Sequence, residues 1–187
     1  MPEKIILGID PGTNIMGYGL IRIVSNRAEL ITLGVLHLGK VDGHALKLKK
    51  IFEKTLALID QYHPDDLAIE APFFGKNIQS MLKLGRAQGV AMAAALYRTI
   101  PIFEYSPKKI KQSITGNGNA SKEQVAAMLQ TILNFKETSE YLDATDGLAV
   151  ALCHYFQKGK VEEKKGHTGW KSFIADNPKR VGKTSMK

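Results

Sequence analysis

The chain has 187 residues, of which 44% are hydrophobic, so its length and composition suit one domain with a well-filled core. Its single cysteine, Cys153, excludes an internal disulfide framework and is expected to lie buried in that core. No apolar run reaches the roughly 18 residues of a membrane helix, and the N-terminus lacks a secretory signal pattern. We therefore expect a soluble cytoplasmic protein with no membrane partner.

Positive charge is concentrated at the C-terminal end of the chain. The formal net charge is +8, and residues 158–187 hold nine Lys and Arg against three Asp and Glu. That segment lacks a sustained hydrophobic period, so we predict a basic, disordered tail after one domain at 1–157. Such a tail can hold the phosphates of any polyanion, so charge suggests a nucleic-acid partner without establishing one.

The hydrophobic pattern predicts an α/β domain with a mixed sheet. Three strands come first, and their short connections are typical of an antiparallel meander. They are followed by two helix–strand units and then by two further helices. The predicted strands cover 5–9, 18–24, 30–38, 67–71 and 100–105, and the predicted helices cover 45–61, 78–98, 121–134 and 141–157.

The first predicted strand ends in an acid. Asp10 follows the apolar run 5–9, which is typical of a strand buried on both faces, and Pro11 and Gly12 end the strand. Burying an ionised carboxylate is costly unless a cation or hydrogen-bond donors compensate for it. Asp-Pro-Gly is also good turn chemistry, so a simple turn is the alternative explanation for this stretch.

Three later acids could join Asp10 at one site. Glu70 lies in a short apolar strand that we expect beside the first one, which would place the two carboxylates side by side. Asp143 and Asp146 are three residues apart on the last helix and can face one site, although acids there could simply complement the helix dipole. Four carboxylates without a His or Cys cluster suit Mg²⁺ or Mn²⁺ better than zinc. Two such ions about 4 Å apart can support phosphodiester hydrolysis.

The motifs around these acids resemble the RuvC family of bacterial Holliday-junction resolvases, within the ribonuclease-H-like nuclease superfamily. The similarity covers roughly residues 4–156 and runs through GIDPGT (8–13), AIE (68–70), KN (76–77), LKLG (82–85), FEY (103–105), KQ (111–112) and DATDGLA (143–149). It implies a ribonuclease-H-like α/β fold, in which a mixed five-stranded sheet has helices on both faces. It also implies a catalytic, metal-binding role for the four acids, which are Asp10, Glu70, Asp143 and Asp146.

The resemblance further implies an activity and partners. The protein would be a homodimeric endonuclease that binds four-way junction DNA and nicks two opposed strands symmetrically, in DNA recombination and repair. Two Mg²⁺ ions per site, or Mn²⁺ in their place, would activate a water and leave 5′-phosphate and 3′-hydroxyl ends. A branch-migration complex of the RuvA and RuvB type is the further partner implied. The family pattern does not extend to residues 158–187, so the role of the tail stays open.

Two aromatic residues follow the Glu70 strand and are candidates for DNA contact. Phe73 and Phe74 could pack in the core, or one ring could stack on an unpaired base. The resemblance favours Phe73, because it falls on the family's junction-stacking position.

Basic residues before the last two helices are candidates for phosphate contact. Lys122 is expected to begin a helix capped by Ser121 and Gln124; a cation there opposes the helix dipole but could hold a phosphate with the backbone amides. A solvated basic surface is the alternative for these positions. The resemblance ranks Lys111 and Lys122 first among the candidates, which are Lys108, Lys109, Lys111 and Lys122.

Gly85 and Gly89 interrupt the second predicted helix. An interior glycine costs a helix about 1 kcal/mol relative to Ala, which suggests that another backbone approaches closely. From the sequence alone, the helix's own sheet is the expected partner. The resemblance instead implies that this region helps to form the dimer.

Two other functions fit part of the sequence. GIDPGT also resembles the first phosphate loop of the actin and sugar-kinase ATPases, but those proteins need two such domains and this chain is too short for them. A junction-binding scaffold without catalysis is the second alternative. The presence of all four acids speaks against it.

Overall fold

The computed structural model describes residues 3–72, 77–136 and 142–161, with side chains described as far as Gln157. The described elements are β1 (Lys4–Asp10), β2 (Ile15–Val24), β3 (Arg27–His37), α1 (His44–Tyr62), β4 (Asp66–Glu70), α2 (Ile78–Tyr97), β5 (Ile102–Tyr105), α3 (Pro107–Thr115), α4 (Lys122–Leu133) and α5 (Leu142–Val161). This order confirms the predicted α/β plan. Phe73, Phe74 and residues 162–187 of the predicted tail lie outside the described residues.

The five strands form one mixed sheet in the order β3-β2-β1-β4-β5. The first three strands are antiparallel neighbours, as predicted, whereas β4 runs parallel to β1 and β5 runs parallel to β4. In the β1–β4 pair, Ile9 is the partner of Ile69. The last residues of the two strands, Asp10 and Glu70, therefore lie at the same edge of the sheet.

Helices cover both faces of the sheet. Successive side chains of the central strands point to opposite faces, so each face presents apolar side chains that a helix layer buries. On one face, α1 and α2 pack against β1 through Leu7 and Ile9. On the other face, α3, α4 and α5 pack around Ile6. Cys153 of α5 is fully buried in this second core, as the sequence predicted. None of the helices in the described ranges has the length and apolar character needed to cross a membrane.

The helix α3 was not predicted from the sequence, and several elements end at other residues than predicted. Ser106 caps α3 by accepting from the Lys109 N–H, and proline occupies the first turn, so a helix-start signal was present. Only Ile110 and Ile114 of α3 are buried, and their lysine-rich surroundings hide the hydrophobic period. The last helix continues to Val161, beyond its predicted end at 157.

The expectation that α2 packs its glycines on its own sheet is wrong. A Cβ added at Gly85 or Gly89 would meet no described atom within 4 Å. Alanines at other positions, such as Ala87 and Ala91, make the contact with the sheet-side core instead. The two glycines therefore lie on the outer side of α2.

Candidate active site

Asp10 and Glu70 lie next to each other at the end of two parallel strands. Their preceding residues, Ile9 and Ile69, are register partners, so the two acids are level. Asp10 shares a face of β1 with Gly8, on which α5 packs directly, because side chains alternate along a strand. The same alternation places Glu70 on the α5 side of β4. The structure thus brings these two acids together as the strand pairing predicted.

Asp143 and Asp146 reach the same place from the beginning of α5. Lys122 Nζ is 2.5 Å from Asp143 Oδ1 and 2.6 Å from Asp146 Oδ2, so one ammonium group bridges both carboxylates. Lys122 is the first residue of α4, and the predicted capping box between Ser121 and Gln124 is present at this helix start. The common orientation expected for the two aspartates is therefore confirmed.

Burial and mutual repulsion perturb the acids strongly. Burial and the charge of Asp146 raise the pKa of Asp10 to about 6, while Lys122 opposes the shift. Burial and the charge of Asp10 raise the pKa of Glu70 to about 8. Burial also raises the pKa of Asp146, against the hydrogen bond from Lys122. Acids from three separate elements repel one another, so the cluster carries more negative charge than its neighbouring cations neutralise.

Among the described residues, Lys122 and Lys111 bring positive charge to the cluster. Burial tends to lower the pKa of Lys122, but the hydrogen bonds to Asp143 and Asp146 raise it overall. The charge of Lys111, on α3, partly opposes the rise in the pKa values of Glu70 and Asp146 that burial causes. Both lysines that the family resemblance ranked first therefore lie at the acid cluster.

The other two lysines of α3 have different surroundings. The Lys108 side chain lies against Gly118, where an added Cβ would be 2.7 Å from Lys108 Cγ. The Lys109 carbonyl oxygen is 4.0 Å from the Cys153 thiol. Burial raises the pKa of that thiol, and the charge of Lys109 partly offsets the shift. Lys109 thus lies beside the middle of α5, whereas the acids lie at its beginning.

The two strand acids border an open cleft. This cleft of ≈ 340 Å³ is lined by Asp10, Pro11, Gly12, Glu70, Ala71, Pro72 and Leu84. Lys47 of α1 donates a hydrogen bond of 3.0 Å to the Thr13 carbonyl oxygen, which holds the loop after Asp10 in place. The role of Lys47 was not predicted from the sequence, because no local sequence pattern links α1 to the loop after Asp10. The acids therefore face solvent-accessible space large enough for part of a ligand.

Glycines set the depth at which α5 lies on the sheet. A Cβ at Gly8 would be 2.2 Å from the Gly147 carbonyl oxygen, and one at Gly17 would be 2.3 Å from the Asp143 carbonyl oxygen. A Cβ at Gly147 would be 2.5 Å from Tyr18 Cα. Only glycine permits such close backbone contact, and the contact at Gly17 involves the very residue that carries one of the acids. We call Gly8, Gly17, Gly19 and Gly147 the glycine seat.

The glycine seat was also missed from the sequence, although a signal was available. Gly17 and Gly19 alternate along β2 and therefore share one face of it. Gly8 is the register partner of Gly19, which extends the smooth patch onto β1. Glycines interrupting two neighbouring strands on one face indicate that another backbone approaches there.

The donor chemistry of the cluster fits divalent metal ions. Its ligand atoms would all be carboxylate oxygens, which suit hard cations such as Mg²⁺. Within the described ranges, no three Asp, Glu, His or Cys side chains converge closely enough, as they stand, to hold one ion. On the α5 side, the Lys122 ammonium group already occupies the space between the carboxylates of Asp143 and Asp146. The raised pKa values show that more positive charge would be favourable.

Comparison with known proteins agrees with this geometry. The family model for crossover junction endodeoxyribonuclease RuvC matches residues 6–154. A crossover junction endodeoxyribonuclease RuvC from Cytophaga hutchinsonii is 65% identical over 96% of this chain and 88% of that protein, and one from Bacteroides fragilis is 63% identical over 96% of each. The structure of T. thermophilus RuvC in complex with Holliday junction substrate matches with a TM-score of 0.76 at 30% identity, covering 83% of this chain and 94% of that one. The chain therefore belongs to the RuvC family of crossover junction endodeoxyribonucleases and has the ribonuclease-H-like fold that its motifs predicted.

Proposed function

We propose that this chain resolves four-way DNA junctions as a homodimer, by symmetric hydrolysis of two opposed strands during DNA recombination and repair. The observation that carries the proposal is the convergence of four carboxylates, from β1, β4 and α5, at one cleft-bearing edge of the sheet. The family to which the chain belongs consists of endonucleases that act on crossover junctions, so the enzyme class follows from membership.

Membership of this nuclease family also implies dependence on a divalent metal. We assign Mg²⁺ as the ion, two per site, with Mn²⁺ as a substitute, and the four acids as its ligands: Asp10, Glu70, Asp143 and Asp146. Bound there, the ions would activate a water and stabilise charge on the leaving 3′ oxygen. The acids would hold the ions and fix their positions. The products would carry 5′-phosphate and 3′-hydroxyl ends.

Positively charged and aromatic residues around the acids are proposed to hold the DNA. Lys111 and Lys122 lie at the cluster, and we propose that their ammonium groups bind a phosphate next to the cleaved bond. Lys108 and Lys109, earlier on α3, would contact phosphates further along the strand. Phe73 follows the cleft-lining Pro72 directly in sequence, and we propose that it stacks on a base at the junction.

The test of the proposed function compares a synthetic four-way junction with a linear duplex of the same sequence. With Mg²⁺ we expect paired nicks in opposed strands of the junction, with ends that a ligase can rejoin, and no comparable cutting of the duplex. With EDTA we expect binding without cutting. Equal cutting of both DNAs would contradict junction resolution, and binding without cutting in Mg²⁺ would favour the scaffold alternative.

The outer side of α2 supports the homodimer. Large apolar side chains are exposed along it, including Ile78 at 74%, Leu82 at 51% and Leu96 at 65%. Their spacing, with the open positions Gly85 and Gly89 between them, follows one face of the helix. Two copies of this stripe can approach closely at the glycines and bury the larger side chains on either side, as a two-fold interface requires.

Leu82→Ser is expected to weaken the dimer at least about tenfold, because each of two symmetric copies loses part of the roughly 1.5–3 kcal/mol that burying a leucine provides. Sedimentation of the purified chain over a range of concentrations measures the change. Leu46→Ser is the matched control, since Leu46 of α1 is 54% exposed and lies outside the α2 stripe. Equal effects of the two substitutions would contradict an interface on α2.

The remaining assignments follow the family. We propose that a branch-migration complex of the RuvA and RuvB type delivers the junction to this protein. We also propose that the protein acts in the bacterial cytoplasm, because its proposed substrate is chromosomal DNA.

Metal binding is expected to stabilise the protein more as the pH rises. The pKa values of about 6 for Asp10 and about 8 for Glu70 lie above their ordinary values of 3.8 and 4.5. A pKa raised by folding means that the folded, metal-free protein binds more protons than the unfolded chain does, so its stability falls as the pH rises through this range. A bound ion requires both groups to be ionised. Metal binding therefore favours the carboxylate forms and offsets the loss of stability at higher pH.

The Mg²⁺-induced increase in Tm should therefore be larger at about pH 8.5 than at about pH 5.5. Calorimetry of the same protein with MgCl₂ and with EDTA measures both values, and NaCl of equal ionic strength controls for screening. An increase that does not vary with pH would contradict metal binding to these two acids.

A further inference from the structure

A second polar cluster, distinct from the acids and centred on two buried residues, lies beneath α5. His154 and Asp66 are 0% and 3% exposed, and His154 Nε2 is 2.8 Å from Asp66 Oδ2. Because a carboxylate can only accept, Nε2 is the donor in this hydrogen bond. His154 Nδ1 is 2.6 Å from the Tyr105 hydroxyl, and Lys4 Nζ is 2.5 Å from Asp66 Oδ2. We call these four residues the far-end cluster.

The far-end cluster connects β1, β4 and α5, which carry the acids, at a distance from the acids themselves. Asp66 begins β4 and Glu70 ends it, which separates them by about 13 Å. His154 follows Asp146 by two turns of α5, or about 12 Å. Because the two spans match, α5 can hold Asp146 near Glu70 only when His154 lies over Asp66. Lys4 adds β1, since it begins the strand that ends in Asp10.

Between the two clusters, α5 meets the strands through the glycine seat. Contacts of backbone with Gly8 and Gly17 fix how close the helix lies to the sheet. At these positions the strands present no side chain to α5, whose Leu148 and Ala151 Cβ atoms lie against Gly19 and Gly8, so the seat sets the depth of the helix more firmly than its position along the axis. A shift by one residue's rise, about 1.5 Å, would break a directional hydrogen bond such as that between His154 and Asp66.

We propose that the His154–Asp66 hydrogen bond fixes the position of α5 along β4 and thereby sets the spacing of the active-site acids at the other end. His154, Asp66 and Tyr105 are positioning residues in this inference, which rests on the proposed function of the acids. The plain alternative is that the far-end cluster contributes only to stability.

The experiment separates position from stability with two substitutions of one residue. His154→Leu removes both hydrogen bonds and keeps an apolar filling, whereas His154→Gln keeps an N–H near the place of Nε2. Mn²⁺ affinity is measured by electron paramagnetic resonance without DNA, and kcat and KM are measured on a synthetic junction, at a temperature where each variant is folded. We expect His154→Leu to lower Mn²⁺ affinity and kcat roughly 10- to 100-fold with little change in KM, and His154→Gln to recover most of both.

Two further variants keep the result decisive. Leu58→Ala is the stability control, because Leu58 is buried in the core on the other face of the sheet; it should lower Tm and leave Mn²⁺ affinity and kcat unchanged. Tyr105→Phe deletes one hydroxyl group and serves if His154→Leu does not fold; we expect a severalfold loss of both quantities.

Wild-type Mn²⁺ affinity and kcat in folded His154→Leu or Tyr105→Phe would overturn the inference, as would equal losses in Leu58→Ala. If the unsubstituted chain binds no Mn²⁺ and cuts no junction, the proposed function itself fails and the inference fails with it.

Discussion

Asp146→Asn is expected to reduce junction cleavage at least about a hundredfold while leaving junction affinity nearly unchanged. Asp146 lies at the centre of the site, since its Oδ2 is 2.6 Å from Lys122 Nζ and its charge raises the pKa values of both Asp10 and Glu70. Asparagine keeps the shape but removes the negative charge, so the proposed ions lose a ligand that stabilises charge in the transition state. Single-turnover cleavage with Mg²⁺ and fluorescence anisotropy with EDTA measure the two quantities separately.

Asp60→Asn is the matched control for this substitution. Asp60 is a half-exposed partner of Arg98, at 2.6 Å between Oδ1 and Nε, and it lies on α1, away from the acids. An exposed ion pair of this kind contributes little to stability, so cleavage and binding should both stay at the wild-type level. Wild-type cleavage by Asp146→Asn would remove this residue from the catalytic set. Equal losses of binding and cleavage would make its role structural.

Local sequence patterns predict most of the strands and helices of the fold. The unbroken apolar run of β1 predicts a strand buried on both faces, and Ile6 and Leu7 do pack into the two opposite cores. The capping box at Ser121 marks the start of α4 within one residue. The helix α3 was missed because it buries only Ile110 and Ile114, too few apolar residues to show a period among lysines.

That the four acids lie close together could also be predicted from the sequence, although each acid alone has a simpler explanation and their catalytic role was implied by the family resemblance. Each is marked by its own neighbours: Asp10 by the strand that it ends, Glu70 by a second apolar strand, and Asp143 by its helical spacing from Asp146. Strand order then brings them together, and the parallel pairing of β1 with β4 supplies that order.

The features that position the acids depend instead on contacts distant in sequence. His154 meets Asp66 across 88 residues, and no local pattern links the two. The glycine seat likewise requires knowledge that α5 crosses β2 at Gly17 and not elsewhere. A lone glycine or histidine has several ordinary uses, so its role becomes visible only when the partner surface is known.

Gly147→Ala is expected to lower the free energy of unfolding by about 1–3 kcal/mol, although Ala is the better helix former by about 1 kcal/mol. The new Cβ would lie 2.5 Å from Tyr18 Cα and 2.7 Å from the Gly17 carbonyl carbon, which are backbone atoms of β2 that cannot rotate away. The start of α5 must therefore lift from the sheet and carry Asp143 and Asp146 with it. Since a displacement of 1 Å can cost a reaction about a hundredfold, cleavage should fall by a similar factor in the folded variant.

Urea denaturation measures the loss of stability, and single-turnover cleavage without urea measures the loss of activity. Gly39→Ala is the control, because a Cβ at Gly39 would meet no described atom within 4 Å; it should be neutral or stabilise the protein slightly. A gain in stability for Gly147→Ala would show that β2 yields to the helix. Lower stability with wild-type cleavage would show that the glycine seat supports the fold without positioning the acids, because a helix start that had moved could not leave Asp143 and Asp146 in their reactive places.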